Sequence, residues 1–459
     1  MSADVLDRAV PPPAGALRPF HFPDVRRRTL SNGLELIVAE NHAFPVATLD
    51  LVLPSGGLVD PPDRGGVAAL TAALLESGGG GLDAAAVAEA VDALGLALET
   101  GVSWDSTLTG FTALSSRLET GMEILAGLVV RPEFPAGEVE RIRGERLASL
   151  AQRRSDPAEL ADELLNHFVY APGHPFGRRL GGVRSTLSAL GRTDVADFHA
   201  RRYRPLGAAL CAAGDVTLEQ VAELAERHLA GWEGAPDAVA AAVPENRFAQ
   251  TTIVLADRPG AVQSEVRVGH LGIARTDADF YPVTVMNAIL GGVFSSRLNL
   301  NLRERLGYTY GASSAFAGRR LPGPFSASSA VQVEGTAHAV SEILRDMRRM
   351  QEEPVSDAEL DDARAYLAGV FPLSLQTSDG LASRLSALRI YDLPDDHWDH
   401  HRARLLAVTA AEVQDAAARR LLPDRAAVVV VGDAARLRGE LEGIGVGPVE
   451  VVAAEEVLG

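Results

Sequence analysis

A chain of 459 residues that is 47% apolar has enough material for two or three separately cored domains. Its 61 acidic residues against 43 basic ones leave a formal charge of −18 and an isoelectric point near 5.1. That balance argues against nucleic acid or an anionic membrane as a partner, because their phosphates would repel it, and the single cysteine, Cys211, rules out an internal disulfide or a cysteine-rich zinc cluster.

The chain opens with Asp4, Asp7 and a proline run at 11–13, without the apolar stretch of a signal peptide, and no later apolar run approaches about 18 residues. The expectation is a cytoplasmic protein with no membrane partner. Residues 26–30, 34–40 and 46–53 read as strands, the first pair joined by an Asn32-Gly33 turn. Helical spacing follows at 65–76, 83–94, 116–130, 136–155 and 157–168, with strands near 97–102 and 107–114 between the second and third helices. Helix and strand are segregated rather than strictly alternating, which predicts an α+β layer: a mainly antiparallel sheet with helices packed on one side. A helix at 193–203, a strand at 208–213 holding Cys211 as a buried, inert thiol, Gly214-Asp215 and a helix at 218–229 complete this half.

Residues 230–248 lack periodicity and are rich in Gly, Pro and small side chains, so they read as a linker between domains at 1–229 and 249–459. Beyond it, strands are expected at 251–256, 264–270 and 325–333, a helix at 280–290, and further helices from Thr336, Ser356, Leu381 and Thr409. The ends of the halves align. Arg201-Arg202-Tyr203-Arg204-Pro205 leads through an apolar strand to Gly214-Asp215, and Arg419-Arg420-Leu421-Leu422-Pro423 leads through 426–431 to Gly432-Asp433. A duplication at a period of about 220 residues predicts two homologous domains facing each other across a cavity, with each Gly-Asp serving as a turn.

The most informative stretch is 289–316, ILGGVFSSRLNLNLRERLGYTYGASSAF. Ser295 and Ser296 are ready N-caps, Leu298, Leu302 and Leu306 recur at helical spacing, and Gly307 suits the left-handed residue that ends a helix. Tyr308, Tyr310 and Ala312 then alternate with Thr309 and Gly311 as a strand. Arg303 falls in the last helical turn and Tyr310 on the following strand, from which a guanidinium and a phenol can both donate hydrogen bonds to one carbonyl oxygen. The same spacing also fits a plain reading, in which the arginine favours the helix C-terminus and the tyrosine is half in the core.

The run LGG…SSRL…LRE…GYTYGASS resembles the second-domain signature of the pitrilysin/insulinase family, the zinc peptidases with an inverted H-x-x-E-H motif, in its bacterial and mitochondrial-processing branch. The resemblance implies that Arg303 and Tyr310 bind the scissile carbonyl. It also locates the zinc helix. Catalytic members carry Gly-x-Ala-His-x-x-Glu-His after the third strand. At that place, framed by Ser55-Gly56-Gly57, Asp60, Pro62, Gly66, Ala68 and Gly78-Gly79, this chain has Ala69, Ala72 and Ala73, which own no lone pair to offer a metal or a proton. Counting back from Asp156-Pro157 puts the third ligand position at Leu150, although Glu138, Glu140 and Glu145 share its helix. Ser103, Asp105, Thr107 and Thr109 alternate as in the family's strand that pairs with peptide.

Other candidates carry less. His397, His400 and His401 have helical spacing but follow Pro394, Asp395 and Asp396, as a solvated face at the start of a surface helix does. The glycine run at 78–81 ends a helix instead of opening one, and no Lys-Ser/Thr follows it. His167 and His174 flank a family-like HPFG loop and read as structural. The expectation is a non-catalytic subunit of a two-chain peptidase, binding peptide and stabilising the transition state while holding no metal or cofactor itself. An H-x-x-E-H partner would supply zinc and base, and the two chains would enclose a peptide chamber. The alternative is a non-enzymatic scaffold like the core subunits of respiratory complexes; a third reading is a homodimer that only binds peptides.

Overall fold

The computed structural model describes residue 15 and residues 17–458, so the leader with Asp4, Asp7 and the proline run lies outside the described residues. In the first half, β1 (Val25–Thr29), β2 (Glu35–Glu40) and β3 (Val46–Leu53) precede helices α1 (Val67–Leu74) and α2 (Ala84–Leu94). Strands β4 (Ala97–Val102) and β5 (Thr107–Leu114) lead to α3 (Leu118–Val130), α4 (Ala136–Ser155) and α5 (Pro157–Val169), then β6 (Ala209–Gly214) and α6 (Leu218–Leu229). Local chemistry sets the boundaries. Asp83 caps α2 through Ala86 N, and Asp156 caps α5 through Ala158 N with Pro157 at the first helical position. At the first hairpin Asn32 accepts from Leu34 N.

The second half contributes β7 (Thr252–Asp257), β8 (Gln263–Leu271), α7 (Phe280–Asn287), β9 (Ala312–Phe316), β10 (Pro324–Gln332) and α8 (Thr336–Glu352), followed by α9 (Ser378–Ile390), α10 (His397–Ala407), β11 (Ala427–Gly432) and β12 (Val449–Val452). Each half forms a six-stranded sheet, ordered β1-β2-β6-β3-β5-β4 and β9-β10-β8-β11-β7-β12. Read from opposite ends, five of the six strands correspond in order: β2, β6, β3, β5 and β4 with β7, β11, β8, β10 and β9. Both are mainly antiparallel with an interior parallel pair, β2 with β6 and β7 with β11; they differ at one edge, where β1 pairs antiparallel with β2 and β12 pairs parallel with β7. This is the α+β architecture of two related sheet-containing units.

Each half's own helices pack on one face of its sheet. Leu36, Val38, Leu49 and Leu51 meet Leu70, Leu125 and Val221 in one core, and Val266, Val268, Val428 and Val430 meet Met286, Val340 and Met347 in the other. The opposite faces are apolar too, because interior strands with Ile37, Val52 and Ala209 or Val254, Val429 and Val431 have no polar side. These faces are covered by exchange: α9 of the second half lays Leu381, Leu385 and Leu388 on the first sheet, and α5 of the first half lays Leu160, Leu164 and Leu165 on the second. Gly269 on β8 permits the close approach, since a Cβ there would stand 2.9 Å from Leu165 Cδ1. The halves are thus interlocked by helices, a contact that facing domains do not require.

Residues 233–243 are mostly exposed and without regular structure, while the ends of that stretch are tied down. Trp232 is buried with its indole N–H on Tyr203 O, and the Asn246 amide donates to Arg425 O and accepts from Leu271 N. Among the described residues no helix is long and apolar enough to cross a membrane.

Candidate functional site

The segment that carries Arg303 begins where α7 runs into a widened turn at Ala288–Gly292. Ser296 then occupies the N-cap position without using its hydroxyl as a cap, and a short helical turn, Arg297–Asn299, passes into a second widened turn, Leu300–Arg305. Leu298 and Leu302 are buried, as their spacing requires. Widened turns insert a residue into the helical ladder and turn side chains off their ordinary faces. Here polar residues in and beside the widened turn become struts. Asn299 donates to Phe294 O (2.7 Å) and accepts from Ala312 N (3.2 Å). Asn301 donates to Glu342 Oε2 and Asp346 Oδ2, both at 2.8 Å, and accepts from Arg305. Arg297 forks onto Glu359 at 2.7 and 3.1 Å, which holds the Glu359 carboxyl down at about 2.

Arg303 stands on this braced turn. Its guanidinium lies 4.5 Å from the centre of the Phe294 ring, its Nε is 3.5 Å from Glu304, and Gly307 ends the turn at φ +66°. Tyr308 packs over Gly335 and its hydroxyl meets His338 Nδ1 at 2.9 Å. Tyr310 is not on a strand. It sits in a bend two residues before β9, 94% exposed, because the Thr309 hydroxyl bonds both Gly311 O and Gly311 N and so closes a local turn in place of a ladder. Phe294 and Leu300 beside Arg303 are also exposed. The sequence reading singled out Arg303 and Tyr310 and passed over the residues that brace their turn, Asn299, Asn301, Glu342 and Asp346. The available signal was polar side chains at core-spaced positions, two asparagines among leucines and two carboxylates four residues apart on the apolar face of α8.

The second region is the cleft over α1. Asp60 fixes the start of that helix by accepting from Gly66 N (2.6 Å) and Ala68 N (3.0 Å); burial pushes its carboxyl up to about 7 against those bonds and against Arg178 and Arg202. Ala69, Ala72 and Ala73 line a cavity of about 690 Å³ together with Leu150 and Arg146 of α4. Arg146 reaches across to α1 and donates from Nη2 to Ala69 O at 3.0 Å. Glu138, Glu140 and Glu145 do not line it; they pair on the outer face of α4 with Arg141 and Arg143. At the motif positions three methyl groups and an isobutyl group give no ligand set for zinc, and although Glu159, Asp162, Glu163 and His167 also line the cavity, among the described residues no three His, Cys, Asp or Glu side chains are grouped to hold a metal. The free sheet edge at this cleft is β4, whose Thr100, Gly101 and Val102 line it. Thr107 and Thr109 lie on β5, which is paired on both sides, so the unpaired edge at this cleft belongs to the neighbour of the strand expected.

Of the three histidines near the start of α10 only His400 faces solvent, beside Asp396 at 3.3 Å. His397 is buried, accepting at Nε2 from Arg275 Nη2 (3.1 Å), while Tyr281 OH lies 3.3 Å from His401 Nδ1 and Phe371 and Trp398 pack against His401; burial drives the two rings down to about 4 and about 3. His174 is structural, its Nδ1 accepting from Phe176 N and its Nε2 meeting Ala242 O. Cys211 is fully buried in β6, its thiol pushed up to about 12.

A family model described as Insulinase (Peptidase family M16) matches residues 36–178, and one described as Peptidase M16 inactive domain matches residues 189–367. An uncharacterized zinc protease of Streptomyces coelicolor is 27% identical over 419 residues, covering 89% of each chain. A non-peptidase homolog of Helicobacter pylori is 23% identical over 362 residues, 78% of this chain and 81% of its own. A crystal structure of a peptidase M16 inactive domain from Pseudomonas fluorescens superposes with a TM-score of 0.84 at 26% identity, covering 89% of this chain and 98% of that one.

Proposed function

Because the chain belongs to the insulinase, or M16, peptidase family, we propose that it is a cytoplasmic, non-catalytic subunit of a two-chain peptidase, pairing with a homologous chain that carries H-x-x-E-H. The observation that carries this reading is the split between its two sites. The motif positions Ala69, Ala72 and Ala73 offer no side-chain donor to a metal, whereas the turn bearing Arg303 is braced by Asn299, Asn301 and Arg297 and presents Arg303 and an unpacked Tyr310 beside exposed Phe294 and Leu300. Zinc and the general base belong to the partner. Arg303 and Tyr310 act on the substrate as hydrogen-bond donors to the scissile carbonyl, most strongly as charge gathers on its oxygen, so they raise turnover more than affinity. The exposed Phe294 and Leu300 supply apolar surface for the partner to cover.

The scaffold reading draws on one feature. Arg303 rests on Phe294 beside Glu304 and Tyr310 is 94% exposed, so no contact among the described residues holds the two donors to each other. Mixing separates the readings. The chain and an H-x-x-E-H chain from the same source, each inactive alone, should form a complex that hydrolyses an unstructured peptide. A stable complex with no more activity than its parts would support the scaffold.

A further inference from the structure

We propose that the cleft over Ala69, Ala72 and Ala73 is an oxyanion-binding site in which Arg146 and Arg178 hold the ligand. The cavity, about 690 Å³, is large enough for a ligand of peptide-end size rather than a lone ion. Its charge is unbalanced. The lining carboxylates are matched, Glu159 by Arg153 (3.1 Å), Glu163 by Arg179 (2.5 Å) and Asp162 by Arg267 (2.5 Å). Among the described residues two lining guanidinium groups make no ion pair. Arg146 spends one N–H on Ala69 O, its buried Nε has no partner, and burial alone accounts for its lowered basicity. Arg178 has a buried Nη1 with no partner, and the carboxylate that acts on it, Asp60, is already bonded by two backbone N–H groups.

In a protein of net charge −18, two half-buried cations lining one cavity without carboxylate partners are a costly arrangement unless something anionic completes it. A guanidinium presents paired N–H groups that match the two oxygens of a carboxylate or a phosphate. The neighbouring free edge of β4 offers backbone groups to whatever chain carries that oxyanion. The loss of the zinc ligands thus converts an electrophilic site into an anion receptor. This inference rests on the cleft itself and holds whether or not the chain completes a partner's active centre.

Calorimetric titration of the full chain alone tests it, with three probes: inorganic phosphate, an acetylated peptide ending in a free carboxylate, and the same peptide amidated. Phosphate or the free-carboxylate peptide should bind, and Arg146→Gln and Arg178→Gln should each weaken that binding at least tenfold while the circular dichroism spectrum stays unchanged. Loss on amidation assigns the oxyanion to a peptide; tighter binding of phosphate assigns it to free phosphate. Ala73→Glu covers the case of poor folding in the arginine variants. It places a carboxylate in the same cleft and should raise the melting temperature while abolishing anion binding. No binding of either anion by the wild type, or binding that persists unchanged in Arg146→Gln, Arg178→Gln or Ala73→Glu, overturns the assignment.

Discussion

Leu385→Ala should loosen a sheet that belongs to the other half of the molecule. Leu385 is fully buried on α9 within the cluster that joins this helix to Ile37, Val52, Ala209 and Cys211 of the first sheet. Truncating a buried leucine costs the transfer free energy of the lost atoms plus a cavity term, together about 3 kcal/mol. At 1.4 kcal/mol per tenfold, the population of the state with α9 detached and this face exposed rises roughly 100-fold. Hydrogen exchange followed by mass spectrometry reads this directly. Amides of β3 and β6 should exchange roughly 100-fold faster although the substitution lies more than 160 residues away in sequence, between 214 and 385. Leu164→Ala on α5 should do the same to β8 and β11. If Leu385→Ala speeds exchange only within the second half and leaves β3 and β6 as protected as before, α9 is not a structural part of the first sheet and the interlocked description is wrong.

His270 makes acid stability titratable. It is fully buried, Nδ1–H facing Leu271 O and Nε2 accepting from Leu422 N, and burial drives it down to about 4. An unfolded histidine takes up its proton near 6.5, so as pH falls from about 6.5 through 4 the unfolded state binds protons first and up to about 3 kcal/mol of stability is lost. Asp50 and Asp60, with carboxyls raised to about 7 by burial, gain stability over the same fall, so the diagnostic quantity is the difference between wild type and His270→Gln in urea unfolding. That difference should shrink by about 3 kcal/mol between pH 7 and pH 4; parallel pH curves would contradict it. Asn301→Ala removes the donor shared by buried Glu342 and Asp346 and should lower stability by about 2–4 kcal/mol in thermal melts, whereas a change under about 0.5 kcal/mol would remove its role as a strut. Elemental analysis of the purified chain should find well under one zinc per molecule, and one tightly held zinc would show a ligand set outside the cleft.

What the sequence made legible was local. Strands expected at 46–53, 97–102 and 107–114 occur as Val46–Leu53, Ala97–Val102 and Thr107–Leu114, because alternation and β-branched content are written along each strand. The α+β class and the family followed from spacing and signature residues. Partnerships between distant segments were not written there. Leu160, Leu164, Leu165 and Phe168 announce that α5 buries one face, but nothing in their spacing says that the face belongs to the other half's sheet. His397 looked solvated because Asp395 and Asp396 precede it, whereas Arg275, more than a hundred residues away, covers it. Tyr310 looked like a strand residue because tyrosine, threonine and glycine alternate there, and one threonine hydroxyl was enough to make a turn instead. Arg146 was an ordinary helical arginine until the approach of α4 to α1 brought it over the alanines.

The central claim is that Arg303 and Tyr310 serve a substrate carbonyl at a partner's active centre. Turnover of the reconstituted complex tests it most directly. With Arg303→Ala or Tyr310→Phe, kcat should fall ~10²–10³-fold, on the order of 3–4 kcal/mol of transition-state stabilisation, while complex formation holds and both variants melt like the wild type. Tyr308→Phe, which loses only its contact with His338, should fall far less. Wild-type turnover in both the Arg303→Ala and Tyr310→Phe complexes would contradict the claim and leave the chain a scaffold.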